Sequence, residues 1–352
     1  MAYRVVIIGC GGRSAAHIEA YQQLPAAQVV ACCARTAGRR EALGARYGLQ
    51  VYSDVAEMLR RETPDLVHIV TGATARVELM TLVAEMKVPL CTVEKPIALG
   101  VADWRQLQAL ERSSVTKFAV CHQLRWHNDV ERCRQALQSG RLGAAQLLHL
   151  SCGMNIAGQG THLLNYGRAL LGDPLVTRVF GNAAGWDSAD PGHAGPTSTV
   201  GLLEFATGCR GLWTTGPLSP RVGDPSTSWQ HVRVAAVAER GRVTYEEFGQ
   251  WEVIAPEQQE RGTFGGMEVW QQQNGQSQTR FHQAMLQWLE DGTIPGTNLK
   301  ASLHEWAVVL ALYQSALERR PITLADFAPP ETLVAQLQAK FPAAAAPGRD
   351  GQ

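Results

Sequence analysis

The feature that most constrains this chain is an apolar run near its N-terminus that ends in a cluster of glycines. Arg4 to Ile8 has the composition of a short buried strand, and Gly9-Cys10-Gly11-Gly12-Arg13-Ser14 follows it. A dinucleotide pyrophosphate requires a tight turn, a bare backbone at closest approach, and a small residue where helix meets strand. Gly9, Gly11 and Ser14 have those three spacings, and the following helix supplies free N–H groups. The turn predicts a dinucleotide site; the alternative is a flexible turn without a ligand.

The first third of the chain alternates short β-branched runs with longer helical patterns, which is typical of a parallel sheet wound with crossover helices. The predicted strands are Arg4 to Ile8, Gln28 to Cys33, Leu66 to Thr71, Pro89 to Val93 and Lys117 to Cys121. The predicted helices are Ser14 to Gln23, Gly38 to Tyr47, Val55 to Arg61, Ala75 to Met86 and Val101 to Arg112. Strands that are apolar nearly throughout predict a sheet covered on both faces.

After a predicted helix at Asn128 to Ser139, strand-like segments follow one another with little helix between them. The predicted strands are Leu147 to Cys152, Val176 to Asn182, Thr199 to Phe205, Arg210 to Thr214, His231 to Ala236 and Gly241 to Glu246, and the predicted helices are Leu163 to Leu171, Arg280 to Glu290 and Leu299 to Leu317. We therefore expect an N-terminal Rossmann domain at 1–125, an α+β substrate domain at 126–342, and a disordered tail at 343–352. A length of 352 residues suits two domains.

Charge and cysteine content restrict the ligands and the compartment. Lys plus Arg and Asp plus Glu number 32 each, so no long-range field favours nucleic acid or an anionic membrane, and small molecules become the expected ligands. The eight cysteines have no Cys-x-x-Cys or Cys/His ligand spacing, which indicates reduced core residues. The start lacks a basic n-region, and no long apolar run follows, so we expect a cytoplasmic protein.

The end of the second strand bears on the choice of cofactor. An acidic residue there accepts the ribose 2′-hydroxyl of NAD, but this chain has Ala34. Arg35 follows, with Arg39 and Arg40 one turn into the next helix, and arginines form charge-assisted bonds to a 2′-phosphate. This pattern predicts NADP, with NAD possible; the alternative is that the arginines form a solvated helix face.

Further motifs follow the strands at Pro89 to Val93 and Lys117 to Cys121. They are Glu94-Lys95-Pro96, Arg125-Trp126-His127 and, in the second domain, Gly160-Thr161-His162; His17 follows the glycine loop. Together with that loop they resemble the glucose-fructose oxidoreductase/inositol dehydrogenase/MocA (Gfo/Idh/MocA) family over nearly the whole chain. The resemblance implies a Rossmann domain plus an α+β domain with a large, mostly antiparallel open sheet.

The resemblance also implies residue roles. Lys95 would lie beside the nicotinamide and the substrate carbon that exchanges hydride, and His162 would act as, or share the role of, the general acid/base. A lysine with a lowered pKa, or a histidine near the working pH, can relay a hydroxyl proton. The predicted cofactor residues are Gly9, Gly11, Gly12, Arg13, Ser14, Arg35, Thr71, Glu94, Lys95 and Pro96. The predicted substrate residues are Lys95, Arg125, His162 and Asn165. A homodimer or homotetramer built on the open sheet face is also implied.

The sequence departs from the family at two places. Relatives usually carry aspartate four residues before the histidine and often another three after it, where this chain has Gly158 and Asn165. They commonly have histidine where this chain has Arg76, whose simplest interpretation is a surface helix residue. We expect NAD(P)-dependent hydride transfer at a sugar, cyclitol or related polyol. The alternatives are a cofactor-assisted glycosidase of the same family and a catalytically inactive nucleotide sensor.

No metal site is expected from the sequence. Asp187, Asp190 and His193 superficially suggest one, but their irregular spacing in a Gly/Asp/Pro-rich stretch indicates a solvated loop instead.

Overall fold

A computed structural model describes residues 2–189, 191–224 and 226–342. The predicted tail at 343–352 and Asp190 lie outside the described residues. The chain forms two compact units: the first contains the described residues of Met1–Ala98, Ala102–Arg132 and Gly265–Trp306, and the second those of Leu99–Val101, Cys133–Phe264 and Ala307–Gln352. The grouping of 265–306 with the N-terminal residues differs from a single division at residue 125, which remains a prediction.

The first unit is built on a six-stranded parallel sheet in the order β3-β2-β1-β4-β5-β6. Its strands are β1 (Tyr3–Ile8), β2 (Ala27–Cys33), β3 (Gln50–Tyr52), β4 (Leu66–Ile69), β5 (Leu90–Val93) and β6 (Lys117–Val120). This order defines the doubly wound Rossmann fold. Every residue of β4 and β5 is buried, so both faces are covered, as the apolar runs predicted. The three-residue strand β3 was missed because it is too short to show a period.

Helices connect and cover these strands. They are α1 (Gly12–Gln22), α2 (Ala37–Tyr47), α3 (Val55–Glu62), α4 (Arg76–Glu85), α5 (Val101–Ser113) and α6 (Asn128–Gln138), with α8 (Met267–Asp291) later in the chain. Helix α8 begins at Met267 rather than at the predicted Arg280. Its first turn, Met267 to Trp270, is largely apolar but mostly exposed, and residues 271–280 are polar or glycine, so this half carries no apolar stripe. Its second half is apolar and packs Phe281 and Met285 into the core of the sheet.

The second unit is built on a nine-stranded sheet in the order β14-β13-β12-β11-β7-β10-β9-β8-β15. Its strands are β7 (Ala145–Cys152), β8 (Val176–Ala184), β9 (Ser198–Phe205), β10 (Arg210–Thr215), β11 (Val232–Ala238), β12 (Gly241–Glu246), β13 (Gln250–Ile254), β14 (Gln259–Thr263) and β15 (Ile322–Thr323). The β7–β10 pair is parallel and the other neighbouring pairs among the described strands are antiparallel. The predicted large, mostly antiparallel sheet is confirmed.

Burial alternates along the central strands of this sheet. In β9, Leu203 is 1% exposed whereas its neighbour Leu202 is 53% exposed, because successive side chains point to opposite faces. Helix α7 (Thr161–Leu170) packs against β7 and β11, and α9 (Leu299–Glu318) and α10 (Leu333–Lys340) follow the sheet in sequence. One face of the sheet therefore forms a core while the other keeps large apolar side chains exposed.

Candidate functional site

The glycine turn between β1 and α1 has the geometry that a phosphate loop requires. Gly9 has φ +104°, and a Cβ there would lie 3.0 Å from the backbone C and O atoms of Val70, so only glycine fits. At Gly11, by contrast, no described atom lies within 4 Å of where a Cβ would stand. The Ser14 hydroxyl donates to the Gly9 carbonyl at 2.8 Å and ties the first turn of α1 to the loop.

A cavity of about 550 Å³ opens beside this turn, within the size range of ligand pockets. The residues lining it include Gly9, Gly11, Arg35 and Thr71, four of the predicted cofactor residues. They come from the carboxyl ends of β1, β2 and β4, where open parallel sheets bind their ligands. The other predicted cofactor residues are not among its described lining; they are Gly12, Arg13, Ser14, Glu94, Lys95 and Pro96.

The three arginines near the end of β2 have different positions. Arg35 and Arg39 line the cavity. Arg40 instead donates from Nη1 to the carbonyl oxygens of Ala34 and Arg35, both at 3.2 Å, and thereby supports the end of the strand. Asp54 also lines the cavity, and its carboxylate accepts from the Glu57 N–H at 2.6 Å, which caps α3.

The eight cysteines are all free, and seven are buried. Cys10 is the partly exposed one, and it lines the cavity within the glycine turn. A hydrogen bond from the Cys32 thiol lowers the pKa of Cys10 despite burial, and the charge of Arg40 acts in the same direction. The predicted core role fits the other seven thiols but not Cys10.

Glu94 is fixed by two residues of helix α1. His17 Nε2 lies 2.8 Å from Glu94 Oε1, and Arg13 Nη2 lies 3.7 Å from the same oxygen. Burial acts to raise the pKa of Glu94, but the hydrogen bond to His17 and the charge of Arg13 outweigh it and hold the pKa well below its usual value. Glu94 is therefore a carboxylate that orients the loop after β5. Lys95, partly buried, follows it, and the Lys95–Pro96 peptide bond is cis.

Arg76 corrects an interpretation made from the sequence. It is 1% exposed rather than a surface residue. Its Nη2 donates to the Thr71 carbonyl at 3.2 Å, whereas Nε and Nη1 have no hydrogen-bond partner in the described part of the chain. Burial lowers the pKa of Arg76 to about 10. The interpretation from the sequence was wrong because arginine is rarely buried without a carboxylate partner. The Arg76 side chain contacts Thr71, which lines the cavity.

In the second unit, the Gly160-Thr161-His162 motif forms the start of α7. A π-helical turn at Ile156–Gly160 leads into that helix, every residue of which is buried. His162 is 5% exposed, and its ring centroid lies 6.2 Å from that of Tyr166. Asn165 is buried one turn further on, so that the two predicted substrate residues share a helix face.

The glycine that replaces a family aspartate has a defined environment. The Gly158 N–H donates to Asn155 Oδ1 at 2.7 Å, and Asn155 Nδ2 donates to Asp187 Oδ2 at 3.1 Å. A Cβ on Gly158 would lie 3.2 Å from the same Asn155 oxygen and 3.1 Å from Met154 Cε. Asn155 thus links this turn to the loop that contains Asp187. The Asp187 carboxylate accepts hydrogen bonds from Asn155 and from the Ala189 N–H of that loop.

Arg125, the remaining predicted substrate residue, belongs to the first unit. It lies in a short 3-10 turn after β6, partly buried, with its guanidinium 5.5 Å from the centre of the Trp126 ring.

Among the described residues, no helix is both long and apolar enough to cross a membrane.

Comparison with known proteins identifies the class. Residues 3–122 match the model of an oxidoreductase family with an NAD-binding Rossmann fold, and residues 149–324 match the C-terminal alpha/beta domain of the same family. The chain therefore belongs to the Gfo/Idh/MocA oxidoreductase family, which confirms the resemblance found in the sequence. Its residues 3–122 correspond to the NAD-binding Rossmann-fold domain of that family.

Two curated relatives and one solved structure show how similar the chain is to individual proteins. The chain is 30% identical over 210 residues to a D-apiose dehydrogenase of Paraburkholderia graminis, covering 54% of this chain and 55% of that protein. A D-apiose dehydrogenase of Rhizobium rhizogenes is 26% identical over 139 residues, covering 39% and 40%. The chain thus matches about half or less of the length of these relatives. Among solved structures, an Agrobacterium radiobacter oxidoreductase in complex with NAD+, L-tartaric acid and magnesium has TM-score 0.79 at 20% identity, covering 92% of this chain and 98% of that one.

Proposed function

We propose that the protein transfers hydride between NADP(H) and a hydroxyl or carbonyl carbon of a sugar, cyclitol or related polyol. The observation that carries the proposal is the phosphate-loop geometry at Gly9 and Gly11, beside a cavity that two arginines line. The bound nicotinamide would supply the hydride acceptor or donor. The eight free cysteines are in keeping with a reducing compartment such as the cytoplasm.

The choice of NADP over NAD rests on Arg35 and Arg39. Both line the cavity next to the end of β2, where a 2′-phosphate would stand, and Ala34 offers no carboxylate to a ribose hydroxyl. The Asp54 carboxylate already accepts the hydrogen bond that caps α3, which leaves it less able to accept one from the ribose 2′-hydroxyl of NAD. Guanidinium groups bind phosphate by charge-assisted hydrogen bonds.

Lys95 and His162 are proposed to handle the substrate proton. Oxidising an alcohol requires its hydroxyl proton to leave with the hydride, so a base must accept it, and an acid must return it in the reverse direction. Both side chains are largely removed from water, which strengthens their interactions with a substrate hydroxyl. Arg125 and Asn165 are proposed to bind the remaining hydroxyl groups.

The proposed substrate is a neutral sugar or polyol. Two relatives bear the name D-apiose dehydrogenase, which supports testing aldoses first among the candidate substrates. At Gly158, where the family resemblance leads us to expect an aspartate, this chain has no side chain, and the Asn155 amide is engaged by the Gly158 N–H and by Asp187. We expect this exchange to remove one charged hydrogen bond to a substrate hydroxyl and so to select against the ordinary inositol substrates of the family.

The cofactor proposal is tested by titrating purified protein with NADPH and NADH and following nucleotide fluorescence. We expect Arg35→Ala to weaken NADPH binding about 10- to 100-fold, the range for loss of a hydrogen bond to a charged group, and to leave NADH unchanged. Arg60→Ala is the matched control, because Arg60 is exposed on α3 and is not among the described residues of the cavity lining. Equal loss of both nucleotides would contradict NADP specificity.

A panel of aldoses, cyclitols and polyols then tests the chemistry. We expect turnover by the wild type and a loss of kcat of about 100- to 10,000-fold in Lys95→Met and in His162→Gln. A nucleotide that co-purifies and does not exchange would favour the glycosidase alternative. Nucleotide binding with no turnover of any compound would favour the sensor.

The same protein is proposed to be a homodimer or homotetramer assembled on the open sheet face. Leu147, Phe180, Leu202 and Val237 are exposed there on four strands, and the register sets Phe180 beside Leu202 and Val237 beside Leu147. At one side, Glu204 lies 3.7 Å from Arg178 and 3.6 Å from Arg210. An apolar centre flanked by paired charges suits the self-complementary contact of a two-fold dimer.

A further inference from the structure

Three histidines from distant parts of the sequence meet inside the first unit. His17 is on α1, His68 on β4 and His282 on α8, and each is 0% exposed. One nitrogen from each lies within 4.8 Å of the others. Burial lowers the pKa of all three imidazoles, so they are neutral, which is the form that ligates metals.

Hydrogen bonding fixes the tautomer of His17. Glu94 is a carboxylate and can only accept, so the His17 Nε2–H donates to it across 2.8 Å. The Nδ1 atom of His17 therefore carries a lone pair, and it faces His282 Nε2 at 3.1 Å. A carboxylate behind a ligating imidazole is the usual arrangement around protein-bound zinc.

His68 is arranged in the same manner. Its Nδ1 lies 2.6 Å from Thr92 Oγ1, and its Nε2, although buried, has no partner among residues 2–189, 191–224 and 226–342. His282 Nδ1 is likewise buried without a partner in the described chain, which leaves it free to hold the proton when Nε2 is a ligand. The unpartnered His68 Nε2 is costly to bury unless something binds it, and a metal ion would do so.

The ring separations agree with ligation by one ion. The His17–His282 and His68–His282 ring centroids are 5.3 and 5.2 Å apart. Two imidazoles on a tetrahedral Zn²⁺ with Zn–N bonds near 2.0–2.1 Å would have centroids about 5 Å apart. The His17–His68 rings are closer, at 3.8 Å, and would have to separate by about 1 Å to reach that spacing.

We propose that His17 Nδ1, His68 Nε2 and His282 Nε2 form a structural Zn²⁺ site behind the Glu94-Lys95-Pro96 loop. Gln278 supplies the fourth donor: its terminal amide lies 3.0 Å from His17 Nδ1 and 3.4 Å from His282 Nε2. Turning that amide by half a rotation directs Oε1, which has no other partner in the described chain, toward the same point. Glu94 and Thr92 orient two of the ligands, and the Glu94 charge offsets part of the charge of the ion.

Zn²⁺ is the ion of choice because three neutral imidazoles and an amide oxygen suit a borderline cation that has no redox chemistry. The site joins α1, β4 and α8, which are far apart in sequence, and it is enclosed. Metal should therefore enter while the chain folds and should resist chelators afterwards.

The test begins with metal analysis of the full chain purified from zinc-supplemented medium and dialysed against a chelator. We expect about one zinc per chain in the wild type. The His149→Phe variant should match it, because His149 lies on β7 in the second unit, whereas His282→Phe should hold none. Zinc retained equally by His282→Phe would overturn the assignment.

A second measurement needs no variant. Wild-type protein unfolded with chelator and refolded with Co²⁺ should show the intense visible bands of a tetrahedral Co²⁺ complex, and zinc added during refolding should raise its thermal midpoint. The competing structure is a metal-free cluster in which the His282 Nε2–H and the Gln278 amide both donate to His17 Nδ1. No zinc after purification, together with no Co²⁺ bands and no thermal shift after refolding, would establish that cluster and overturn the proposal.

Discussion

The two units differ in how their ionisable and large apolar side chains are grouped. The first encloses ionisable groups, namely His17, His68, His282 and Arg76, around a sheet covered on both faces. The second exposes large apolar side chains such as Leu202 on one face of its sheet. Buried ionisable groups make stability depend on pH and on bound partners, whereas an exposed apolar face makes assembly depend on concentration. We therefore expect the first unit to respond to protons and ligands, and the second to a further copy of the chain.

Acid should produce the largest effect and should act on the first unit. The pKa values of His17, His68 and His282 lie below the ordinary 6.5, and burial lowers the pKa of His127 to about 3. Because the folded pKa values are depressed, the unfolded chain binds more protons below pH 6.5, and stability present above that pH is lost as pH falls. The loss approaches about 1 kcal/mol per histidine for each pH unit.

Hydrogen exchange at pH 7.5 and 5.5, resolved by mass spectrometry, measures this difference between the units. Amides of the first unit should lose protection first, and His282→Phe should reduce the pH dependence. In the second unit, burial and the charge of Arg233 lower the pKa of the half-buried His149. Earlier loss of protection in the second unit would contradict the comparison.

Arg76→Met should stabilise the ligand-free protein. The substitution replaces a buried guanidinium, which makes one hydrogen bond among the described residues, by an apolar side chain of similar length. Replacement of buried charged groups by hydrophobic residues has stabilised proteins by about 1–4 kcal/mol. Urea unfolding measures the change, and Arg105→Met, an exposed change on α5, serves as the control. A marked loss of stability would show that Arg76 has a stronger partner than its hydrogen bonds indicate.

Gly9→Ala should destabilise the first unit by about 1–3 kcal/mol, because alanine is strained at positive φ, and it should abolish nucleotide binding. Gly11→Ala is the matched control: its φ is −86° and its surroundings are open, so stability should change little. Thermal unfolding of both variants measures the cost of backbone strain. Nucleotide titration of both variants measures whether the added methyl group blocks the phosphate. Full NADPH affinity in Gly9→Ala would exclude the turn as a phosphate loop.

Leu202→Glu should have the smallest effect on folding, within about 0.5 kcal/mol, because the side chain is already exposed. It should nevertheless dissociate the oligomer, which sedimentation velocity detects. The neighbouring Leu203→Ala should behave oppositely, keeping the assembly while costing about 2–5 kcal/mol of stability through the cavity it leaves. An unchanged assembly in Leu202→Glu would place the interface elsewhere.

Local patterns carried much of the prediction. The strand-turn-helix order at residues 4 to 23, the glycine spacing and the apolar parallel strands were visible because each depends on neighbours in sequence. Strand β3 and the N-terminal half of α8 were not predicted. The three residues of β3 are too few to show a period, and the N-terminal half of α8 has no apolar stripe. The surface interpretation of Arg76 was wrong because charge, taken alone, predicts exposure.

By itself, the sequence determined the fold class, the glycine turn between β1 and α1 and the family, because these depend on short-range spacing and on motifs that lie next to particular strands. Only the tertiary structure decided which arginines reach the cavity, that Arg76 is buried, and that His17, His68 and His282 meet. Those contacts join residues separated by up to 265 positions, as between His17 and His282, and no local pattern encodes them. Their neutral state follows from burial, and the Nδ1 lone pair of His17 follows from the contact with Glu94, and both conditions exist only in the folded chain.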